Sequence, residues 1–184
     1  MKKVFLFLAN GFEEIEAIAT IDVLRRGGLD VTTISISGSE EVTGAHNIKV
    51  ISDKLFEETD FSEGDLLVLP GGMPGASNLN EHEGLKNLIM KYNTEGKYLA
   101  AICAAPLVLG GLGILKGKKA TCYPSFEPQL IGADVLEDGV VVDGRITTGR
   151  GPAFAASFAL SLVAQLQGSE KAEEVASGML LNNA

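Results

Sequence analysis

The sequence predicts an α/β fold with a mostly parallel central sheet, helices on both faces and a small antiparallel hairpin at one edge. Short, wholly apolar runs are typical of strands that are covered on both faces. Helical segments follow these runs, and such strand–helix–strand units imply right-handed crossovers. The 184 residues are 46% hydrophobic, which is enough for one sizeable core, so we expect a single domain over residues 1–184.

The elements alternate along the chain. Residues 4–8 predict the first buried strand, and residues 13–26 predict a helix with Ile15, Ile18 and Leu24 at helical spacing. Two arginines and two glycines end that helix. The elements predicted after it are strands over 30–36, 65–69 and 98–102, a helix over 83–92, a hairpin over 139–147, and a final long helix over 153–166 that Pro152 opens.

Three loops follow the carboxyl ends of predicted strands, at residues 10–16, 70–75 and 102–106. Sites in parallel sheets lie beyond that edge, so we expect these loops to converge. Cys103 stands between a strand and a helix start, where free backbone N–H groups and the helix dipole lower a thiol pKa. The N–H groups of Ala104 and Gly72 are the predicted oxyanion donors. A buried core cysteine is the alternative interpretation.

Glu16 is a second candidate catalytic residue, because it lies early in an apolar helix without a Lys or Arg three or four positions away. A poorly solvated carboxyl near Glu13 and a thiolate has a raised pKa, so Glu16 is predicted to stay protonated and to donate to the sulfur of Cys103. The alternative is a carboxylate that only favours the helix N-terminus, which is our interpretation of Glu13 and Glu14.

Charge and composition exclude several classes of partner. The net charge is -9 and the 15 basic residues are scattered, which argues against a nucleic-acid partner. The first apolar run is too short for a signal peptide or a membrane span, so we expect no membrane partner and a cytoplasmic protein. Cys103 and Cys122 are expected to be thiols, with Cys122 packed in the core. His46 and His82 form no spaced ligand set with them, so no metal is expected.

Five motifs resemble those of the ThiJ/PfpI superfamily, in particular the branch of the parkinsonism-associated deglycase and its bacterial relatives. They lie at residues 10–16, 22–27, 69–72, 100–106 and 148–152. The resemblance implies a flavodoxin-like sheet, a homodimer, no cofactor, Cys103 as the oxidisable nucleophile and Glu16 as its protonated partner. It also implies that the backbone donors of Gly72 and Ala104 lie at the site.

The candidate substrate-binding residues are Arg150, Tyr123 and His46. The resemblance implies that Arg150 is close enough to bind an anion or a polar substrate group. Tyr123 stands where the deglycase branch often has a histidine, and it is a poor base near neutral pH. The resemblance also makes His46 a candidate for a contact with a partner subunit's cysteine, although a solvated loop histidine is the simpler interpretation.

Two histidines that catalytic branches of the superfamily use are missing from this chain, which narrows the range of possible activities. The protease branch has a histidine directly after the cysteine, where this chain has Ala104, so proteolysis through a Cys–His pair is disfavoured. A glutaminase needs a histidine after the cysteine, and none follows His82. An FMN carrier is a poor fit, because residues 70–75 lack a hydroxyl-rich phosphate cradle and aromatic residues are few.

We therefore expect a cysteine enzyme for reactive dicarbonyls such as methylglyoxal, or for their early glycation adducts, with a role in stress protection. Cys103 would add to an aldehyde, and Glu16 would shuttle a proton. The alternative is a non-enzymatic redox sensor or stress chaperone that uses an oxidisable Cys103.

Overall fold

The computed structural model describes residues 1–181, in which helices and strands alternate as the sequence predicts. The strands are β1 (Lys3–Leu8), β2 (Asp30–Ser35), β3 (Glu41–Thr43), β4 (Lys49–Ile51), β5 (Lys54–Leu55), β6 (Leu66–Leu69), β7 (Tyr98–Ile102), β8 (Lys119–Ala120), β9 (Asp134–Val135), β10 (Val140–Asp143) and β11 (Ile146–Gly149). The helices are α1 (Glu14–Arg26), α2 (Gly75–Glu81), α3 (Glu83–Thr94), α4 (Pro106–Gly111), α5 (Ala155–Gln167) and α6 (Ser169–Gly178).

A seven-stranded sheet in the order β10-β11-β7-β6-β1-β2-β5 forms the centre of the fold. Its neighbouring strands are parallel except for β10, which pairs with β11 in an antiparallel hairpin. The chain turns between these two strands at Gly144, whose φ of 62° suits a two-residue hairpin loop. The predicted flavodoxin-like α/β fold with an antiparallel edge is confirmed.

Strand order places the helices on the two faces of the sheet. The chain moves one way along the sheet from β1 to β2 and the opposite way from β6 to β7. Right-handed crossovers therefore put α1 and α3 on opposite faces. Because both faces are covered, every residue of β6 is buried, and β1 and β7 are more exposed only at their first residue.

The end of the chain differs from the sequence prediction. Pro152 opens a short 3-10 turn, Pro152–Phe154, and the long helix begins only at Ala155. This helix is not the last, because α6 follows it after Gly168. The apolar pattern did not indicate α6, since Val175 and Ala176 are its only buried residues.

One face of α1 also differs from the expectation. Of the three apolar residues at helical spacing, only Leu24 is buried, while Ile15 is 59% and Ile18 is 45% exposed. The buried side of α1 instead carries Glu16 and Thr20 among its apolar neighbours. No helix within residues 1–181 is both long enough and apolar enough to cross a membrane.

Candidate active site

Cys103 lies at a strained turn directly after β7. Its φ is 66°, a left-handed conformation that costs a residue other than glycine about 1–3 kcal/mol. Two backbone hydrogen bonds hold this conformation: the Cys103 N–H donates to Gly149 O at 2.8 Å, and the Tyr123 N–H donates to Cys103 O at 2.8 Å. The side chain is buried, with 8% of the residue exposed. Hydrogen bonds to β11 and to the segment at Tyr123 therefore fix the backbone that carries the thiol.

Glu16 is fully buried in the first turn of α1, with an exposed fraction of 0%. The Glu13 carboxylate caps this helix by accepting from the Glu16 N–H at 2.7 Å, as the sequence indicates. The Gly71 N–H donates to Glu16 Oε2 at 2.8 Å. Glu16 Oε1 is buried without a hydrogen-bond partner among residues 1–181, yet the carboxyl lies close enough to Cys103 for each group to shift the other's pKa.

Burial dominates the electrostatics of this pair. Removal from water raises the pKa of Glu16 from 4.5 to about 7, against the opposing effects of the Cys103 thiol and the Gly71 N–H. Burial, the charge of Glu16 and its hydrogen bond raise the pKa of Cys103 to about 12. While Glu16 is ionised, the pKa of Cys103 is raised and not lowered as the sequence predicts, because the N–H groups of Gly72 and Ala104 do not offset burial and the charge of Glu16.

The two groups nevertheless titrate as one pair that loses its first proton near neutral pH. After that loss, one negative charge resides either on the carboxylate of Glu16 or on the sulfur of Cys103. The N–H groups of Gly72 and Ala104 favour charge on the sulfur. The Gly71 hydrogen bond is compatible with both arrangements, since a neutral carboxyl also accepts through its carbonyl oxygen.

Gly71 is a site residue that sequence reasoning missed. A Cβ at this position would lie 2.7 Å from both Cys103 Cβ and Glu16 Oε2, so no side chain fits between the two groups. Gly72 has a φ of 88°, and a Cβ at this position would overlap the backbone nitrogen of Glu13, so it also excludes a side chain. The Pro-Gly-Gly sequence was the available signal, but it does not reveal which atoms approach the glycine.

Tyr123 and Arg150 line a cavity of about 170 Å³ together with Phe154 and two prolines. Cys103 does not line this cavity, but the turn that carries it is a neighbour, because the Tyr123 N–H donates to the Cys103 carbonyl and Arg150 follows Gly149, which accepts from the Cys103 N–H. The guanidinium of Arg150 donates to the backbone carbonyl of Glu137 and lies 3.7 Å from the Glu137 carboxylate. Arg150 is thus near the site, with its charge partly neutralised.

The structure places His46 on Glu14 of its own chain. The backbone N–H of His46 donates to Glu14 Oε1 at 2.7 Å, and its Nδ1 lies 2.8 Å from Oε2. Glu14 was expected only to favour the helix start, but its buried carboxylate also holds the loop around His46 through these hydrogen bonds. Glu13, Glu14 and His46 bring potential metal-ligand atoms within 4.8 Å of one another. Those carboxylates already cap α1 and hold the loop, so the residues do not form an open metal site.

Residues 2–165 match the DJ-1/PfpI family, which is the ThiJ/PfpI group that the motifs indicate. The chain belongs to the DJ-1/PfpI family.

Relatives from several kingdoms share the family's domain with this chain. Protein DJ-1 homolog A of Arabidopsis thaliana is 46% identical over 183 residues, which cover 98% of this chain and 47% of that protein. The glutathione-independent glyoxalase DJR-1.2 of Caenorhabditis elegans is 37% identical over 161 residues, which cover 86% of this chain and 85% of that protein. The chain spans less than half the length of the two Arabidopsis relatives.

Solved structures of the family have the same fold. The structure of oxidized DJ-1 of Toxoplasma gondii superposes with a TM-score of 0.94 at 37% identity and covers 98% of both chains. This likeness extends over nearly the whole chain, so the fold that carries Cys103 is shared with this DJ-1 protein.

Proposed function

We propose that this DJ-1/PfpI protein is a cysteine-dependent enzyme for reactive dicarbonyls such as methylglyoxal, or for the early adducts that they form with amines and thiols. The buried Glu16–Cys103 pair is the observation that carries the proposal. An acid with a pKa of about 7 suits proton transfer near neutral pH, and it lies beside the nucleophile. The printed name of the nematode relative, a glutathione-independent glyoxalase, supports the same chemistry.

The proposed reaction begins with the singly ionised pair in its thiolate form. The sulfur of Cys103 adds to the aldehyde carbon of methylglyoxal, so a C–S bond forms as the carbonyl π bond breaks. The N–H groups of Gly72 and Ala104 stabilise the oxyanion, which then takes the proton of Glu16 to give a hemithioacetal.

Glu16 next acts as a base. Its carboxylate removes the proton from the former aldehyde carbon, and the electron pair moves onto the neighbouring carbonyl to give an enediolate. The hydroxyl proton of the former aldehyde carbon passes to the enediolate oxygen, and Glu16 returns its proton to the neighbouring carbon as the C=O bond of a lactate thioester forms on Cys103. Water hydrolyses this thioester and releases lactate and the thiol. The net reaction adds one water to methylglyoxal, so it needs no cofactor or external oxidant.

Substrate binding is assigned to the cavity beside Cys103. Tyr123 offers a phenolic hydroxyl there, and Arg150 would turn its guanidinium from Glu137 to a polar substrate group. We also propose a cytoplasmic location and a role in stress protection. Both cysteines are free thiols in the structure, as a reducing compartment would keep them.

A homodimer is part of the proposal. Ile18 and Ile51, which are 45% and 67% exposed, line the same surface groove, and Ile15 extends this apolar face. A second copy of the chain would remove these side chains from water. Light scattering should give twice the mass of the chain, and Ile18→Glu should shift the protein toward monomer. A monomeric wild type at micromolar concentration would contradict the dimer.

The enzyme proposal is tested by steady-state formation of lactate from methylglyoxal. The wild type and Cys122→Ser should turn over at similar rates, whereas Cys103→Ser should be inactive and Glu16→Gln should lose most of its kcat. The Cys122 variant is the matched control, because it removes the other buried thiol. Absence of lactate from the wild type, or equal rates for all variants, would refute the proposal.

The second candidate is a redox sensor or stress chaperone, favoured by the backbone N–H groups that act on the sulfur. The same donors would stabilise a sulfinate on Cys103. The solved Toxoplasma relative is described as oxidized. Mass spectrometry after mild peroxide treatment should then show two oxygens on Cys103 in a protein that forms no lactate.

A further inference from the structure

A cavity at the amino ends of β7 and β11, the opposite end of the strands from Cys103, is lined by an unusual number of cationic side chains. It has a volume of about 360 Å³, and its charged lining residues are Lys97, Lys118 and Arg145, with no acidic residue among them. The chain as a whole carries 24 acidic against 15 basic residues, so a cavity whose charged lining residues are all cations is unusual for this protein. The expectation that the basic residues are scattered does not hold here.

Two of these cations are held in place by the protein. Lys97 Nζ donates to the Ser62 carbonyl at 2.8 Å and lies 3.0 Å from the Glu95 carboxylate. Lys118 Nζ lies 3.5 Å from the Asp143 carboxylate. Both ammonium groups keep donors for a further partner, because each carries three N–H bonds.

Arg145 is the third cation, and its charge has no counterpart. The other arginines of the chain, Arg25, Arg26 and Arg150, each pair with a carboxylate. Within residues 1–181, the Arg145 guanidinium forms no ion pair and no side-chain hydrogen bond. It follows Gly144 in the β10–β11 hairpin loop and lies against Gly96, where any side chain would overlap it. The fold thus leaves room for this guanidinium, whose N–H donors have no acceptor among residues 1–181.

The cavity is separate from the active site. It lies where β7 and β11 begin, since Lys97 precedes Tyr98 and Arg145 precedes Ile146. Cys103 follows the other end of β7, and the six residue steps from Lys97 to Cys103, at about 3.3 Å each, place it about 20 Å away. A ligand in this cavity would therefore not contact Cys103.

We propose that this cavity binds a small phosphate ester. A phosphate monoester carries close to two negative charges at neutral pH and three acceptor oxygens, which match the unpaired Arg145 and the remaining lysine donors better than a single carboxylate does. The planar fork of Arg145 can bind two phosphate oxygens at once, while Lys97 and Lys118 bind as point charges. The volume lies within the range of small-molecule sites, and the Asn93 amide on its wall suits a hydroxyl of the organic part.

Isothermal titration calorimetry with glycerol 3-phosphate, sodium lactate and glycerol tests the proposal. Glycerol 3-phosphate should bind saturably at one site, more tightly than lactate, and glycerol should not bind. Arg145→Gln should weaken binding about tenfold or more, since it removes charged hydrogen bonds. Lys54→Gln is the control for net charge, because Lys54 is an exposed lysine outside the cavity, and it should change the affinity less than about twofold.

The outcomes separate this site from the chemistry at Cys103. Cys103→Ser should bind glycerol 3-phosphate as the wild type does, so the phosphate site and the proposed enzyme activity can fail independently. If Arg145→Gln does not fold, Lys118→Gln should show the same loss. The proposal is overturned if glycerol 3-phosphate does not saturate the wild type, if lactate binds as tightly, or if Lys54→Gln weakens binding as much as Arg145→Gln.

Discussion

Replacing Glu16 by Gln should show where the charge of the buried pair resides. In the proposed arrangement, Glu16 keeps its proton and the Cys103 thiolate forms near pH 7, at the first ionisation of the pair. Gln cannot ionise, and its neutral amide donates a weaker hydrogen bond to the sulfur than a carboxyl does. A loss of roughly 1.5 kcal/mol of hydrogen bonding raises the thiolate pKa by about one unit.

The opposite arrangement predicts a shift of the opposite sign. If Glu16 were the carboxylate and Cys103 the thiol, the wild-type thiolate would form only near the raised value of about 12. Glu16→Gln would then remove the neighbouring negative charge and lower the thiol pKa. The sign of the change therefore distinguishes the two arrangements.

Glu16→Asp extends the test, because the shorter side chain withdraws the carboxyl from the sulfur. Loss of a charge-assisted hydrogen bond, worth roughly 1.5–3 kcal/mol, should raise the thiolate pKa by about one to two units. The thiolate pKa of the wild type and of both Glu16 variants is measured by following ultraviolet absorbance against pH. All three proteins carry Cys122→Ser, so that Cys103 is the only thiol. A fall in pKa for Glu16→Gln, with no wild-type thiolate near neutral pH, would refute the proposed role of Glu16.

Three further predictions follow from the same contacts. Because the buried pair loses its first proton at about pH 7, whereas an ordinary glutamate does so at 4.5, the stability that this proton contributes is complete below pH 4.5 and is lost as the pH rises through 7. Urea unfolding should show a loss of about 3 kcal/mol between about pH 5 and about pH 8 that Glu16→Gln abolishes, and an equal loss in that variant would contradict the assignment. The hydrogen bond to Glu14 should hold the pKa of His46 above 6.5, and proton NMR should show that this pKa falls in Glu14→Gln. An unchanged pKa in the variant would contradict the His46–Glu14 ion pair. Gly71→Ala would place a methyl group 2.7 Å from Glu16 Oε2, so it should cost about 1–3 kcal/mol of stability and most of the active-site thiol's reactivity, whereas Gly178→Ala, which meets open space, should cost little.

Local patterns in the sequence were sufficient for the order of elements and for the edge that carries the site. Apolar runs predicted β1, β6 and β7 closely, because a strand covered on both faces needs apolar side chains at every position. The Asp143-Gly144 pair predicted the hairpin, since a short turn needs a residue that accepts positive φ.

The tertiary structure alone decided the chemistry of the pair and the surface beyond it. The raised pKa of Cys103 and the 0% exposure of Glu16 depend on groups from three segments that meet in space, and desolvation is not visible in a linear pattern. The exposed face at Ile18 and the unpaired charge of Arg145 likewise appear only once the chain is folded. Sequence determines which side chains are present, whereas their pKa values and exposure follow from what the fold packs around them.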